Sequence, residues 1–419
     1  MTSHRTPPDA TTLMAQVVAS GLDAPILDPN DTRWDRLRSV CPADLDLRDR
    51  FRGAMIGGAI GDALGRPNEG CPTEVAREQK IRAYQPWHGW ISGPKGTITD
   101  DTQMTMWLAE SILASAERAA GAGGQRGSST VRRYDSSAVQ ESVRSLGHER
   151  RGSEERSGVV DLRDRVLDPE DLAQRFTSQH IRGIGKGTRQ FVRNYKDLGK
   201  PWHEAGVPSA GNGTAMRAAP VGLVHLGDPY RIYRDSLLQS VVSHQDSMAI
   251  AAATAQAYAV ARTAAAPPGS LAPLANRLAL CADLALLLDG LEKPGYPLDG
   301  STGAASLHVR IGTELPRFLS TGEAPFAAWH NGAYVLGSFP CAVWCFLQSP
   351  EDFEATLFTA VDAGHDADTV AAMACTLAGA YHGYAGLPRR LVEDLEYHDR
   401  LLELADGLCG LNRRLYGSQ

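Results

Sequence analysis

The sequence predicts an all-α protein. Three observations carry that expectation: apolar residues return at helical spacing along most of the chain, no convincing strand pattern occurs, and 42 glycines with many alanines point to helices packed closely through small residues.

Residues 1–46 are polar and proline-bearing ("HRTPPDA", "LDPNDTRWD") with little periodicity, and read as a partly irregular N-terminal arm laid on the surface or partly disordered. The core is expected to begin near Leu47. In "RFRGAMIGGAIGDALG", Phe51, Met55, Ala59 and Ala63 are four apart, while Gly53, Gly57 and Gly61 form another strip. An interior glycine costs a helix about 1 kcal/mol against alanine, so a strip of them implies close approach by another backbone or a ligand. Met104, Trp107, Leu108 and Ile112 make 101–118 an amphipathic helix.

Between residues 121 and 160 more than half of the residues are Gly, Ser or Arg. Too few are apolar to form a core, which reads as a flexible surface insertion. "DPEDLAQRF" then restarts the pattern with the Asp, Pro and acids of a helix N-terminus. Further helices are expected at 246–263, 272–290, 327–347, 351–362 and 368–382, with breakers such as "AAPPGS" and "KPGYPLDGSTG" between them. The chain thus reads as one all-α domain over 47–415, preceded by the arm.

Composition narrows the function classes. A net charge of −7 gives no basic footprint for nucleic acid, and no local basic patch is evident. Seven scattered cysteines suit reduced thiols better than a disulfide framework. The N-terminus lacks the apolar stretch of a signal peptide, and the longest apolar runs, around 249–261 and 335–347, are too short and interrupted to span a bilayer. The expected setting is cytoplasmic.

Chemistry concentrates at two helix starts. "GTITDDTQM" places Thr99, Asp100 and Asp101 before one apolar face, and "AGHDADTVAAM" places Asp366, Asp368 and Thr369 before another. Capping and the helix dipole account for either motif alone. Together they offer four carboxylates and two hydroxyls with no neighbouring Lys or Arg in sequence, the oxygen donors that suit Mg²⁺ or Mn²⁺. If the two starts meet, two ions about 3.5–4 Å apart could polarise a leaving group or generate hydroxide from water. In "SAGNGTAMRAAPVGL", Gly211, Asn212, Gly213 and Thr214 form a turn whose N–H groups could cradle a diphosphate; a Gly/Asn turn before a capped helix, with Arg217 in an ion pair, is the plainer reading. His244, after Ser243 at a helix entrance, reads equally as a cap or a core residue.

Taken together and in order, these motifs resemble the ADP-ribosylglycohydrolase family, which includes dinitrogenase reductase-activating glycohydrolases and animal ADP-ribosylhydrolases. The matching stretches are "RGAMIGGAIGDALGRPNE", "GTITDDTQM", "RGIGKGTRQF", "GNGTAMRAAPVGL", "SHQDSMAIAAA" and "DFEATLFTAVDAGHDADTVAAMACTLAGAYHG", covering about 50–385. The resemblance implies an orthogonal multi-helix domain with a binuclear Mg²⁺ or Mn²⁺ cleft that binds the ADP-ribose moiety of a modified protein or small molecule. It implies Thr99, Asp100, Asp101, Asp366, Asp368 and Thr369 as metal ligands, the Gly211–Thr214 loop at the diphosphate or nearby ribose, and His244 along the nucleotide. Asp62 and Glu69 fall near the metal edge, Asp62 toward substrate and Glu69, on a mobile flap, with the catalytic acids Asp100, Asp101 and Asp368.

Two departures stand out. His365 sits where many relatives have glycine, and is placed at the substrate, where it touches metal-bound water, crowds the site or packs. "SHQD" replaces the commoner "SHP" type. The implied reaction is hydrolysis of the C1″ bond between ADP-ribose and an acceptor, an ADP-ribosylated arginine first, with one of the Asp residues as base. Alternatives are a serine, O-acetyl-ADP-ribose, poly(ADP-ribose) or nucleobase linkage, or a non-catalytic ADP-ribose reader or structural protein. Retention of all four Asp residues argues against a dead descendant.

Overall fold

The computed structural model describes residues 8–22, 24–39, 41–86, 93–123, 162–295 and 305–417; most of the expected insertion, 124–160, and part of the 293–303 breaker lie outside them. The longer helices are α1 (Ala10–Ala19), α2 (Leu47–Gly65), α3 (Asp100–Gly123), α4 (Pro169–Ser178), α5 (Pro229–Val241), α6 (Ser247–Ala264), α7 (Leu274–Leu288), α8 (Val335–Gln348), α9 (Phe353–Val361), α10 (Ala367–His382) and α11 (His398–Tyr416). Strand-like pairing among the described residues is confined to isolated bridges. The fold is all-α, as the periodicity predicts. None of the seven cysteines is in a disulfide, and no described helix is long and apolar enough to cross a membrane.

The pairing of α2 with α10 organises the molecule. Asp46 caps α2 by accepting from the N–H groups of Arg48 and Asp49. A methyl group built on Gly53, Gly57, Gly61 or Gly65 would lie 2.2, 2.4, 2.2 or 2.5 Å from the carbonyl oxygen of Gly379, Cys375, Ala371 or Ala367 respectively. One partner number rises by four as the other falls by four, so the helices run antiparallel, backbone against backbone. This is the close approach that the glycine strip implies, and the partner is a helix. Its geometric result is that the end of α2, carrying Asp62, meets the beginning of α10, carrying Asp366 and Asp368.

Around this pair, α6 is buried at every position from Ser247 to Ala264 except Arg262, and Gln256 donates across to Met373 O of α10 at 3.1 Å. Helix α11 is clamped to α2 by Arg48 and Arg52, which both hold Asp406. The arm contains α1 and the short helix Arg33–Leu37; Leu13, Val17, Trp34 and Leu37 join the common core, and Trp34 lies against Tyr230 and Tyr233.

Three local expectations need correction. Pro229–Val241 and His398–Tyr416 are helices that periodicity did not single out, and the helix expected from 327 begins at Val335. The backbone of 331–333 is engaged instead: Asn331 O accepts from Asp366 N–H and Ala333 O from Asn212 N–H. Those two bonds frame the site.

Candidate metal centre and adjoining loop

The start of α3 is set by a residue of α2. Asp62, fully buried, accepts from the N–H of Thr99 at 3.1 and 3.0 Å, from the N–H of Thr102 at 3.1 Å and from the Thr102 hydroxyl at 2.6 Å. It therefore supplies the acceptors that the open N-terminus of α3 needs. Burial pushes its carboxyl up to about 6, against the pull of these donors.

Once α3 is capped from outside, its own acids are left for other work. The Thr99 hydroxyl donates to Asp101 Oδ2 at 2.8 Å, while Asp101 Oδ1 is buried with no partner. Asp100 is partly exposed; its N–H donates to Arg182 O at 2.9 Å. Gly183, at φ +75°, lies so close that a methyl group there would be 3.0 Å from Asp100 Oδ1.

The second set stands at the head of α10. Asp366 occupies the N-cap position, yet its carboxylate makes no capping bond; Oδ2 accepts instead from Asn212 Nδ2 at 2.6 Å. Asp368 Oδ1 accepts from the Thr369 N–H at 3.0 Å. One oxygen each of Glu69, Asp366 and Asp368 lie within 4.8 Å of one another. Glu69, paired with Arg66, comes from a loop whose Gly70 N–H donates to His365 O and whose Cys71 O accepts from His365 N–H, both at 2.6 Å.

The two sets share one electrostatic site. Loss of water around the carboxyl first, although part of the residue stays exposed, then the charge of Asp62, Asp366 and Glu69, pushes Asp100 up to about 8. Burial and the charges of Asp62, Asp100 and Asp366 raise Asp101 well above the carboxylate range; burial with Glu69 and Asp101 does the same to Asp368. Carboxyls crowded in this way hold protons unless a cation replaces them. Hard oxygen donors, two threonine hydroxyls and the orphaned Asp101 Oδ1 fit a divalent cation.

The Gly211–Thr214 loop adjoins this centre through Asn212. Gly211 pairs with Tyr334, and Asn212 N–H with Ala333 O at 3.0 Å. Asn212–Thr214 forms a single 3-10 turn, whose leading N–H groups have no partners within the turn itself. The Thr214 hydroxyl turns away and donates to Ala249 O at 2.8 Å. His244 is buried behind the loop, its ring against Gly187, Gly211 and Gly213.

His365 is brought beside the centre in a left-handed conformation, φ +54°, where glycine is the unstrained choice. Its ring packs on that of His330, centroids 4.7 Å apart. Arg217, read from sequence as an ion-pair residue, is fully buried and bonded to neutral acceptors. Arg182, Asn331 and Glu396 were not singled out by sequence, although Arg182 joins Glu396 and its carbonyl holds Asp100 N–H. Their contacts span long sequence distances, and no local pattern reports them.

Comparison with known proteins gives concordant results. Residues 43–417 match the family model described as ADP-ribosylglycohydrolase. The chain is 25% identical over 390 residues to ADP-ribosylarginine hydrolase Tri1 of Pseudomonas putida (strain GB-1), covering 92% of this chain and 85% of that one. It is 23% identical over 351 residues to the ADP-ribosyl-dinitrogen reductase glycohydrolase of Rhodospirillum rubrum, covering 84% and 91%. A solved structure titled an ADP-ribosylglycohydrolase-related protein complex superposes with a TM-score of 0.57 at 25% identity, covering 88% and 99%.

Proposed function

The chain belongs to the ADP-ribosylglycohydrolase family, and on that footing we propose that it hydrolyses the C1″ bond between ADP-ribose and the guanidinium nitrogen of an ADP-ribosylated arginine, with two divalent cations, Mg²⁺ or Mn²⁺, in its acidic centre. The observation that carries the reading is the meeting of Asp100 and Asp101 with Glu69, Asp366 and Asp368 at one site, tied to the Gly211–Thr214 loop by the Asn212–Asp366 bond. Arginine is the acceptor named for the Pseudomonas putida relative.

Thr99, Asp100, Asp101, Asp366, Asp368 and Thr369 would hold the cations, which supply positive charge to fix ribose oxygens and offset the crowded carboxylates. The chain's own groups do the rest. The loop N–H groups of Gly213 and Thr214 take diphosphate oxygens, and His244 lines the nucleotide side. Of Asp100, Asp101 and Asp368, only Asp100 is partly exposed, so it is the base that reaches an attacking water. The water oxygen bonds to C1″, the C1″–N bond breaks, the water proton passes to Asp100 and the guanidine leaves as neutral arginine to be protonated.

The test is release of ADP-ribose from ADP-ribosylated arginine, alongside serine, O-acetyl, polymeric and nucleobase linkages, with each metal and with chelator. Asp100→Ala and Asp368→Ala should abolish release while circular dichroism stays unchanged. Full turnover in chelator, or in either variant, overturns the mechanism; turnover of another linkage alone overturns the choice of arginine.

A further inference from the structure

Arg217 is fully buried, yet its hydrogen bonds go to neutral groups rather than to a carboxylate. Nε donates to Gln239 Oε1 at 2.7 Å and Nη1 to Gly213 O at 2.7 Å; Nη2 donates to Gln239 O and to Ser243 Oγ, each at 2.8 Å. A guanidinium only donates, so Ser243 Oγ is an acceptor toward it and has its own proton to place. The acceptor within reach of that proton is His244 Nδ1, 2.9 Å away.

A ring nitrogen that accepts carries no hydrogen. Burial beside Arg217 pushes the His244 pKa down to about 3, so the ring is neutral, and with Nδ1 accepting from Ser243 its single proton would sit on Nε2. Methyl groups on Gly187, Gly211 and Gly213 would lie 3.0, 3.3 and 3.4 Å from Nε2, so the absence of side chains at these three positions leaves room in front of this nitrogen. His244 is 3% exposed, and its Nδ1 is the ring nitrogen at hydrogen-bond distance from Ser243 Oγ.

We infer that Arg217 is a positioning residue: acting through Ser243, it locks His244 in the Nε2–H tautomer and so presents an N–H donor, across the glycine-lined gap, to a diphosphate oxygen of the ligand. The Gly213 carbonyl held by the same guanidinium ties the loop and the imidazole into one unit. The identity of the ligand rests on the ADP-ribose reading above; the tautomer does not.

The test is nitrogen NMR of histidine-labelled, ligand-free protein, with calorimetric titration of ADP-ribose and of ADP. Wild-type His244 should carry its proton on Nε2. Ser243→Ala should give a mixture of tautomers and weaken both ligands about tenfold, the loss of one hydrogen bond to a charged group, with unchanged circular dichroism. Ser243→Thr, which restores a hydroxyl, should restore both readouts, and Arg217→Lys should resemble Ser243→Ala. A wild-type proton on Nδ1, or Ser243→Ala with unaltered tautomer and affinity, overturns the relay. If neither ligand binds wild type, the ADP-ribose reading and the diphosphate acceptor fall, while the tautomer still decides the relay.

Discussion

Asp62 and Thr102 are joined twice, the carboxylate accepting from both the N–H and the hydroxyl of the threonine, at 3.1 and 2.6 Å. The end of α2 is thereby the cap of α3. In Asp62→Ala, the N–H groups of Thr99 and Thr102 and one hydroxyl lose their buried acceptor. The expected cost is about 2 kcal/mol, read as a lower denaturation midpoint, with weaker divalent-ion binding as Thr99, Asp100 and Asp101 shift. An unchanged midpoint would mean that α3 is anchored elsewhere.

The seam between α2 and α10 makes a paired prediction. A methyl group at Gly61 would meet Ala371 O at 2.2 Å, whereas one at Gly121 meets nothing within 4 Å. Gly61→Ala should destabilise by about 3 kcal/mol, because two backbones have to separate. Gly121→Ala, also in a helix, should stabilise by roughly 0.4–1 kcal/mol. Equal effects in urea denaturation would contradict a backbone-to-backbone seam.

Acidity gives a third. Asp62 and Asp100 are raised from an ordinary 3.8 to about 6 and about 8 in the folded protein. Between pH 4 and 8 these two groups therefore bind more protons in the metal-free folded state than in the unfolded one, so their contribution to stability falls as pH rises. Cations that displace those protons act most where the protons are fewest. The rise in melting temperature on adding Mg²⁺ or Mn²⁺ should be larger at pH 8 than at pH 5; an equal or smaller rise at pH 8 would count against the centre.

His365 gives a fourth. A left-handed non-glycine residue costs about 1–2 kcal/mol, and the extra unfolded-state freedom of glycine returns about half to one of these. His365→Gly should therefore raise stability by about 0.5 kcal/mol while kcat/KM for ADP-ribose release stays within twofold, as packing on His330 implies. A tenfold loss of kcat/KM would show instead that the imidazole serves the substrate.

Local patterns reported much of this in advance. The glycine strip in Phe51–Ala63 announced a close approach, and Asp/Thr clusters ahead of apolar faces announced two helix starts with excess acid. Both signals are short-range. Pro229–Val241 did have a local signal, the Asp228 cap followed by Pro229, whereas His398–Tyr416 starts without a side-chain cap after Tyr397 at φ +59°. What the acids do depends on contacts far apart in sequence: Asp62 capping a helix about 37 positions on, Asn212 reaching Asp366, Arg217 reaching Ser243. Such pairings are set by how helices stack, which no window of a dozen residues contains.

The antiparallel seam also orders events during synthesis. Helix α2 and the first acids emerge early, but the glycine face that receives α10 stays bare until Ala367–His382 has left the ribosome. A nascent chain past α3 already carries Asp100 and Asp101; only one extended through α10 can bring Asp366 and Asp368 to them. Synthesis through α10 is thus a condition for the acidic centre to exist, and a chain stopped short of α10 is left with half a site.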